Sequence, residues 1–384
     1  MEFGWSQEQV EFRNRIRKVI ERELPPDWNE IHRHGLASAG QTAVSKAFCA
    51  KLAEEGLLVR HWPREFGGGD GSMWDHVILG EEVWSRGEPR GAQYMNVNWL
   101  GPVLLRYASP EQKERFLPPI KSGSVVWCQL FSEPNAGSDL ANMRTRAVPQ
   151  PDGTYVVNGM KMWTSYARVA EWGFLLARTG QSKKEITVLL VKMDTPGITI
   201  KPFPGLVEDG HLHEIYFDNV VVPAGQRLGE EGRGWDIVRY ALNFERSGIQ
   251  RYEMARAALF QAVEELKRQG RFDDPNVQRD AGMALATCEA ARLLNYSVVE
   301  ERVKDLPPGP IASVSRLTTG DATMAVNDFM ARYLPEVLCD QPVGGDWQLT
   351  FAYQFGLPST IAAGAYEVQA DIVATQELGL PRGG

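Results

Sequence analysis

The sequence predicts a multidomain α+β protein in three parts: an N-terminal helical domain over residues 1–123, a middle antiparallel β-barrel or sandwich over 124–232, and a C-terminal helical bundle over 233–384. Three observations predict it. Apolar residues recur at helical spacing up to about Ser122, fall into short strand-like runs between Val125 and Val222, and return to long helical segments from Trp235. The short runs follow one another without intervening helices, which is not the pattern of a doubly wound nucleotide-binding sheet. A chain of 384 residues also exceeds the roughly 250–300 residues at which a single core stops growing.

In the first part, Phe12, Ile16, Val19 and Ile20 recur at i, i+4, i+7 and i+8, so Gln7 to Glu23 reads as an amphipathic helix with Ser6 as its N-cap. Gln41 to Glu55, Trp74 to Ser85 and Pro110 to Ser122 read as further helices. The loop His61 to Gly71, HWPREFGGGDG, is glycine-rich but lacks the GxGxxG or GxxxxGK spacing of a phosphate cradle and reads as a turn. In the second part, strands are expected at Tyr155 to Val157, Trp172 to Ala177, Ile186 to Met193 and Ile215 to Val222. Pro151-Asp152-Gly153 supplies the turn before the first of them, because proline presets φ and glycine tolerates a positive one. In the third part, one helix is expected over Trp235 to Gln269, others over Pro275 to Asp305 and Ser313 to Tyr333, and another near the C-terminus.

Composition narrows the function. A formal charge of -8 argues against a general nucleic-acid binder, although a local basic groove for phosphates is compatible with it. Cys49, Cys128, Cys288 and Cys339 are widely spaced and form no CxxC pair, so neither a disulfide framework nor a zinc site is indicated. His211, His213 and Glu214 lack a clear third ligand and read as a solvent-facing strand edge, so no metal is expected. No apolar run reaches the roughly 18–20 residues needed to span a bilayer, and the chain reads as cytoplasmic.

Two phrases carry the chemistry: Trp127 to Asp139, WCQLFSEPNAGSD, and Asn158 to Ala167, NGMKMWTSYA. With WPREFGG at Trp62 to Gly68, HEIYFDNVVVP at His213 to Pro223 and LGLPR at Leu378 to Arg382, their order and spacing resemble the acyl-CoA dehydrogenase family over nearly the whole chain. The resemblance implies FAD, an acyl-CoA substrate, an electron-transfer flavoprotein as partner and a dimeric or tetrameric assembly. It implies that the hydroxyls of Ser132 and Ser165 meet the flavin, with Trp163 packed beside the ring and Thr164 between them in sequence. Backbone amides of Gln129, Leu130, Phe131 and Ser132 are implied at the pyrimidine edge, and Ser138 at the pantetheine arm of coenzyme A.

The implied reaction is α,β-dehydrogenation of the thioester to the trans-2-enoyl-CoA, in which a carboxylate takes the α-proton and two donors hold the thioester oxygen. One donor in the family is a backbone NH, which falls here on Ala363. The carboxylate does not survive, because the family phrase YEGT is replaced by Ala362-Ala363-Gly364-Ala365. A substitute is sought by helical arithmetic: Glu245 falls amid the stripe Val238, Ala241, Leu242, Ile249, Tyr252 and Leu259, where burial would move a carboxyl toward the range useful for a general base. Arg256 on the same stripe is roughly 16 Å along the axis if the helix is continuous, too far to neutralise it. A buried ion pair, or a side chain bent out to solvent, is the alternative reading. Phe244-Glu245-Arg246 also resembles the helix from which branched-chain members present their base, with Arg246 then ordering the coenzyme A or the helix. Glu367 is the other carboxylate near the lost position, and as a residue at a helix start it reads better as solvated.

The adenosine end departs from the family. GRFDDPN at Gly270 to Asn276 and DQPVGGDW at Asp340 to Trp347 match poorly the phrases that hold a neighbouring subunit's flavin. Some bacterial members lacking these features pair with a related but different chain, often for sterol or other bulky CoA thioesters, so the resemblance leaves a hetero-oligomer beside a homo-oligomer. A flavin oxidase or monooxygenase on the same fold, and a non-catalytic subunit of a heteromeric dehydrogenase, are the alternative functions.

Overall fold

A computed structural model of the chain describes residues 4–32, 34, 37–182, 185–206, 212–247, 250–306, 309–362 and 364–381, the side chains of residues 245–247 excepted. The N-terminal part comprises α1 (Gln7–Glu23), α2 (Trp28–His32), α3 (Ala39–Glu54) and α4 (Met73–Trp84), followed by α5 (Gln93–Met95). A π-helical turn over Asn96–Leu100 carries α5 into α6 (Gly101–Tyr107), and α7 (Pro110–Lys121) completes this part. Ser6 caps α1 in a reciprocal capping box with Gln9, and Phe12, Ile16, Val19 and Ile20 are the residues it buries, as their spacing requires.

The middle part is one connected sheet: β1 (Trp127–Leu130), β2 (Arg146–Pro149), β3 (Tyr155–Ser165), β4 (Trp172–Arg178), β5 (Ile186–Lys192), β6 (Ile198–Phe203), β7 (Leu212–Val222) and β8 (Arg227–Leu228). The order is β6-β7-β3-β2-β4-β5-β8, with β1 paired to β4. Pairing is antiparallel except that β1, and β2 at one position, run parallel to β4. The predicted turn before β3 forms, with the Gly153 amide donating to the Gln150 carbonyl at 2.9 Å. The strand it introduces is much longer than Tyr155–Val157, because β7 pairs with it across its whole length and overrides the weak local alternation. Successive residues of β4 and β5 alternate between two cores. Phe174, Leu176, Val188 and Leu190 join the large core shared with both helical parts, while Leu175, Ala177, Leu189 and Val191 fill a smaller one on the opposite face.

The C-terminal part contains α8 (Gly234–Ser247), α9 (Arg251–Arg268), α10 (Pro275–Val303), α11 (Ile311–Tyr333), α12 (Gln348–Gly356) and α13 (Tyr366–Ile372). The single helix expected over Trp235 to Gln269 is therefore two. α8 ends at Ser247 and α9 starts at Arg251, with Gln250 as its non-helical N-cap. The apolar stripe continues through a Ser-Gly pair at 247–248, where helix propensity is poor. Axial distances counted along one helix, including that from Glu245 to Arg256, do not hold across the break. Among the described residues no helix is long and apolar enough to cross a membrane.

Candidate active site

The two motif phrases meet where the chain leaves β1 beside the distal end of β3. The Met162 amide donates to the Ser132 carbonyl at 2.9 Å. Below that link, the buried ammonium of Lys161 donates to Glu133 Oε1 at 2.8 Å and to the Phe131 carbonyl at 3.0 Å. Glu133 also accepts from the backbone amides of Arg144 and Thr145, at 2.5 and 3.0 Å. Burial alone would raise the Glu133 carboxyl, but the Lys161 charge and these donors outweigh it and hold it below the usual carboxylate range. Burial pushes Lys161 down to about 8. The sequence reading gave no role to either residue, although both lie inside the motifs. Their only signal is that Lys161 is the one charged residue of its phrase and Glu133 one of two acids in the other.

Lys161 and Thr164 flank a register shift between β3 and β7, and within it Trp163 adopts φ +62°. A tryptophan in the left-handed region costs about 1–2 kcal/mol, so the bulge is a position where the surrounding contacts impose strain. It turns the indole outward: Trp163 is 53% exposed and touches Phe203 edge-on at 5.0 Å. Thr164 next to it is buried, and its hydroxyl has no hydrogen-bond partner among the described residues. Ser132 and Ser165 are partly buried on the two sides of this junction. Leu130 and Phe131 point their side chains into the cores, Phe131 against Trp99 and Phe174, so only their backbones are available to a ligand. Gln129 is partly buried on β1, and Ser138 is exposed two residues beyond the turn that Glu133 and Ala136 close by mutual backbone hydrogen bonds. An outward aromatic on a strained bulge beside an orphaned buried hydroxyl fits a flat heteroaromatic group with a polar edge.

His213 does not face solvent, contrary to the sequence reading. It is paired with Thr164 across β7 and β3, is fully buried, and donates from Nδ1 to the Thr164 carbonyl at 3.1 Å. Burial lowers its pKa and keeps it neutral. His211 lies outside the described residues. Among those described, no group of histidine, cysteine, aspartate and glutamate could hold a metal.

On the helical side, α8 packs across α6 and the π-helical turn, with the Arg106 guanidinium 4.6 Å over Tyr240. Arg302, from the end of α10, donates to the Asn243 carbonyl and lies 4.7 Å over the Phe244 ring. Glu245 and Arg246 follow on the last turn of α8, and their side chains lie outside the described set. Arg256 pairs with Glu253 at 2.9 Å on α9. Ala363 is likewise outside the described residues. The segment just before it is held by Arg316 of α11, which donates to the carbonyls of Ser359 and Ala362. Glu367 is exposed in the first turn of α13. At the two departing stretches, Gly270 and Arg271 form the C-terminal cap of α9, Asp274 caps α10, and Asp340 to Trp347 is a tight turn with Gly344 and Gly345 at positive φ.

Comparison with known proteins covers each of the three parts. Residues 6–124, 128–220 and 232–378 match, in turn, the N-terminal, middle and C-terminal domains of acyl-CoA dehydrogenases. Acyl-CoA dehydrogenase IpdE1 of Mycolicibacterium smegmatis is 34% identical over 97% of this chain and 98% of its own. The solved Tcur3481-Tcur3483 steroid ACAD superposes with a TM-score of 0.90 at 29% identity, covering 100% of both chains. The ChsE4-ChsE5 complex from Mycobacterium tuberculosis superposes with a TM-score of 0.86 at 29% identity, again over 100% of both.

Proposed function

The chain belongs to the acyl-CoA dehydrogenase family of oxidoreductases, and from that premise we propose that it binds FAD and oxidises a bulky, ring-bearing acyl-CoA thioester to its trans-2-enoyl-CoA. The observation that supports this most is the junction of β1 and β3, where the outward Trp163 indole stands on a strained bulge beside the orphaned Thr164 hydroxyl. Ring-bearing acyl groups are favoured because a steroid dehydrogenase is among the full-length structural matches.

FAD, when bound, supplies the hydride acceptor. Trp163 flanks its ring system, while the hydroxyls of Ser132 and Ser165 and the backbone of Gln129 to Ser132 serve its polar edge. Ser138 serves the pantetheine arm. Glu245 on the last turn of α8 takes the α-proton, Arg246 orders the coenzyme A, and the Ala363 amide donates to the thioester oxygen as charge moves onto it. Changing Glu245 to Gln should leave the flavin spectrum intact and slow anaerobic bleaching by a good substrate at least about 10³-fold, a general base being worth about 10²–10⁴. A variant that bleaches at the parental rate removes Glu245 from this role.

A heteromer with a second chain of the same family is the assembly we favour, since Gly270 to Asn276 and Asp340 to Trp347 depart from the flavin-holding phrases and one matching structure is a complex of two different chains. Purification from the native source should yield fewer flavins than chains. A homo-oligomer with one flavin per chain would exclude it.

A further inference from the structure

Beside the break between α8 and α9, along α4, lies a set of polar side chains that the reaction outlined above does not use. His76 on α4 is buried, and neither ring nitrogen has a hydrogen-bond partner among the described residues. The ring of His61 packs against it at 4.6 Å between centroids. Trp62, the next residue, is buried with its indole N–H likewise without a partner. Its ring lies so close to the start of α6 that a Cβ on Gly101 would come within 2.0 Å of it.

Gln250, at the break between α8 and α9, is fully buried, and neither its amide oxygen nor its nitrogen has a partner among the described residues. That amide rests on Gly80, one turn along α4 from His76, where a Cβ would meet Oε1 at 1.9 Å. Glycine at positions 80 and 101 is thus what admits the two side chains. Arg302 is near enough to act electrostatically on His76, and it reaches the backbone of Asn243 on α8. Arg302 thus links the set to α8 at Asn243, two residues before Glu245 in sequence.

Each buried polar atom left without a partner costs about 1–3 kcal/mol, and native interiors seldom collect several in one place. Apolar side chains of similar shape would be more stable at all three positions. Burial pushes His61 down to about 3 and His76 well below the ordinary imidazole range, so the rings stand neutral as donors and acceptors. We propose that His76, Trp62 and Gln250 form a hydrogen-bonding wall for an oxygen function, a ketone or a carboxylate, carried on the acyl part of the thioester, and that the enzyme selects acyl groups bearing one. This rests on the dehydrogenase reading given above.

The test uses flavin-loaded full-length protein, with its partner chain where one co-purifies. Pairs of ring-bearing acyl-CoA thioesters of one carbon skeleton, with and without a ring ketone or carboxylate, are compared by anaerobic flavin bleaching. The oxygen-bearing member should be preferred at least about tenfold, since a site built to hydrogen-bond a group discriminates against its absence. His76→Phe and Gln250→Leu should each collapse that ratio, and His76→Gln should restore part of it. Equal rates for the pair with the parental protein, or an unchanged ratio in the variants, would overturn the proposal and leave the wall to bound water. If a variant fails to fold, the parental ratio still decides. If no thioester bleaches the flavin, the dehydrogenase reading fails, and calorimetric affinities for the same pair test the wall separately: equal affinities overturn it.

Discussion

At residue scale, Trp163 carries the most information, because a bulky side chain at φ +62° persists only where its surroundings over-determine it. The Met162 to Ser132 hydrogen bond on one side and the β3 pairing with β7 on the other leave it no extended alternative. Replacing Trp163 by glycine should therefore give a protein more stable than the alanine replacement by about 1 kcal/mol, since only glycine adopts this conformation freely. Both should hold flavin less tightly than the parent. Thermal melts of the two variants check it, and equal midpoints would mean that the bulge relaxes in the alanine variant. Its phrase marks Trp163 as a candidate site residue. Its strain is not legible there, since local sequence does not fix a register shift that two distant strands impose.

Among elements, the link between β1 and β3 depends on one buried ion pair. Lys161 and Glu133 are each satisfied by the other and by backbone groups of the neighbouring segment, so the pair fixes where the Ser132 stretch lies against β3. Changing Lys161 to Met should destabilise the protein by about 3–5 kcal/mol, because it strands a buried carboxylate. Combining it with Glu133→Gln should recover much of that loss. Chemical denaturation of the single and double variants measures it, and additive losses would show that the two side chains act independently. The break between α8 and α9 is the element-scale feature the sequence misled about. An apolar stripe with helical period continues through it, yet beyond their shared packing on α10 and α11 the first half meets α6 and β5 and the second α4 and α12, and Gln250 turns inward toward α4.

For the whole molecule, buried histidines make stability depend on pH, His32, His61 and His76 most strongly and His213 in the same direction. Burial lowers His32 to about 4, His61 to about 3, and His76 well below the ordinary value near 6.5. Between pH 6.5 and about 4 the unfolded chain takes up protons that the folded chain refuses, so stability falls as the pH drops through that window. The slope is about 1.4 kcal/mol per pH unit for each histidine. Melting midpoints at pH 7, 6 and 5 should decline progressively; a flat profile would mean that these imidazoles accept protons in the folded state. The order of helical and strand segments, the inward face of α1 and the two motif phrases were all legible in the sequence alone, because each rests on periodicity or on contiguous residues. Tertiary structure alone decided that His213 is buried, that Glu133 meets Lys161, that His61 packs on His76, and that Gln250 rests on Gly80 of α4. Those outcomes depend on contacts between residues tens to hundreds of positions apart, and no local preference encodes which partner a buried polar group will find.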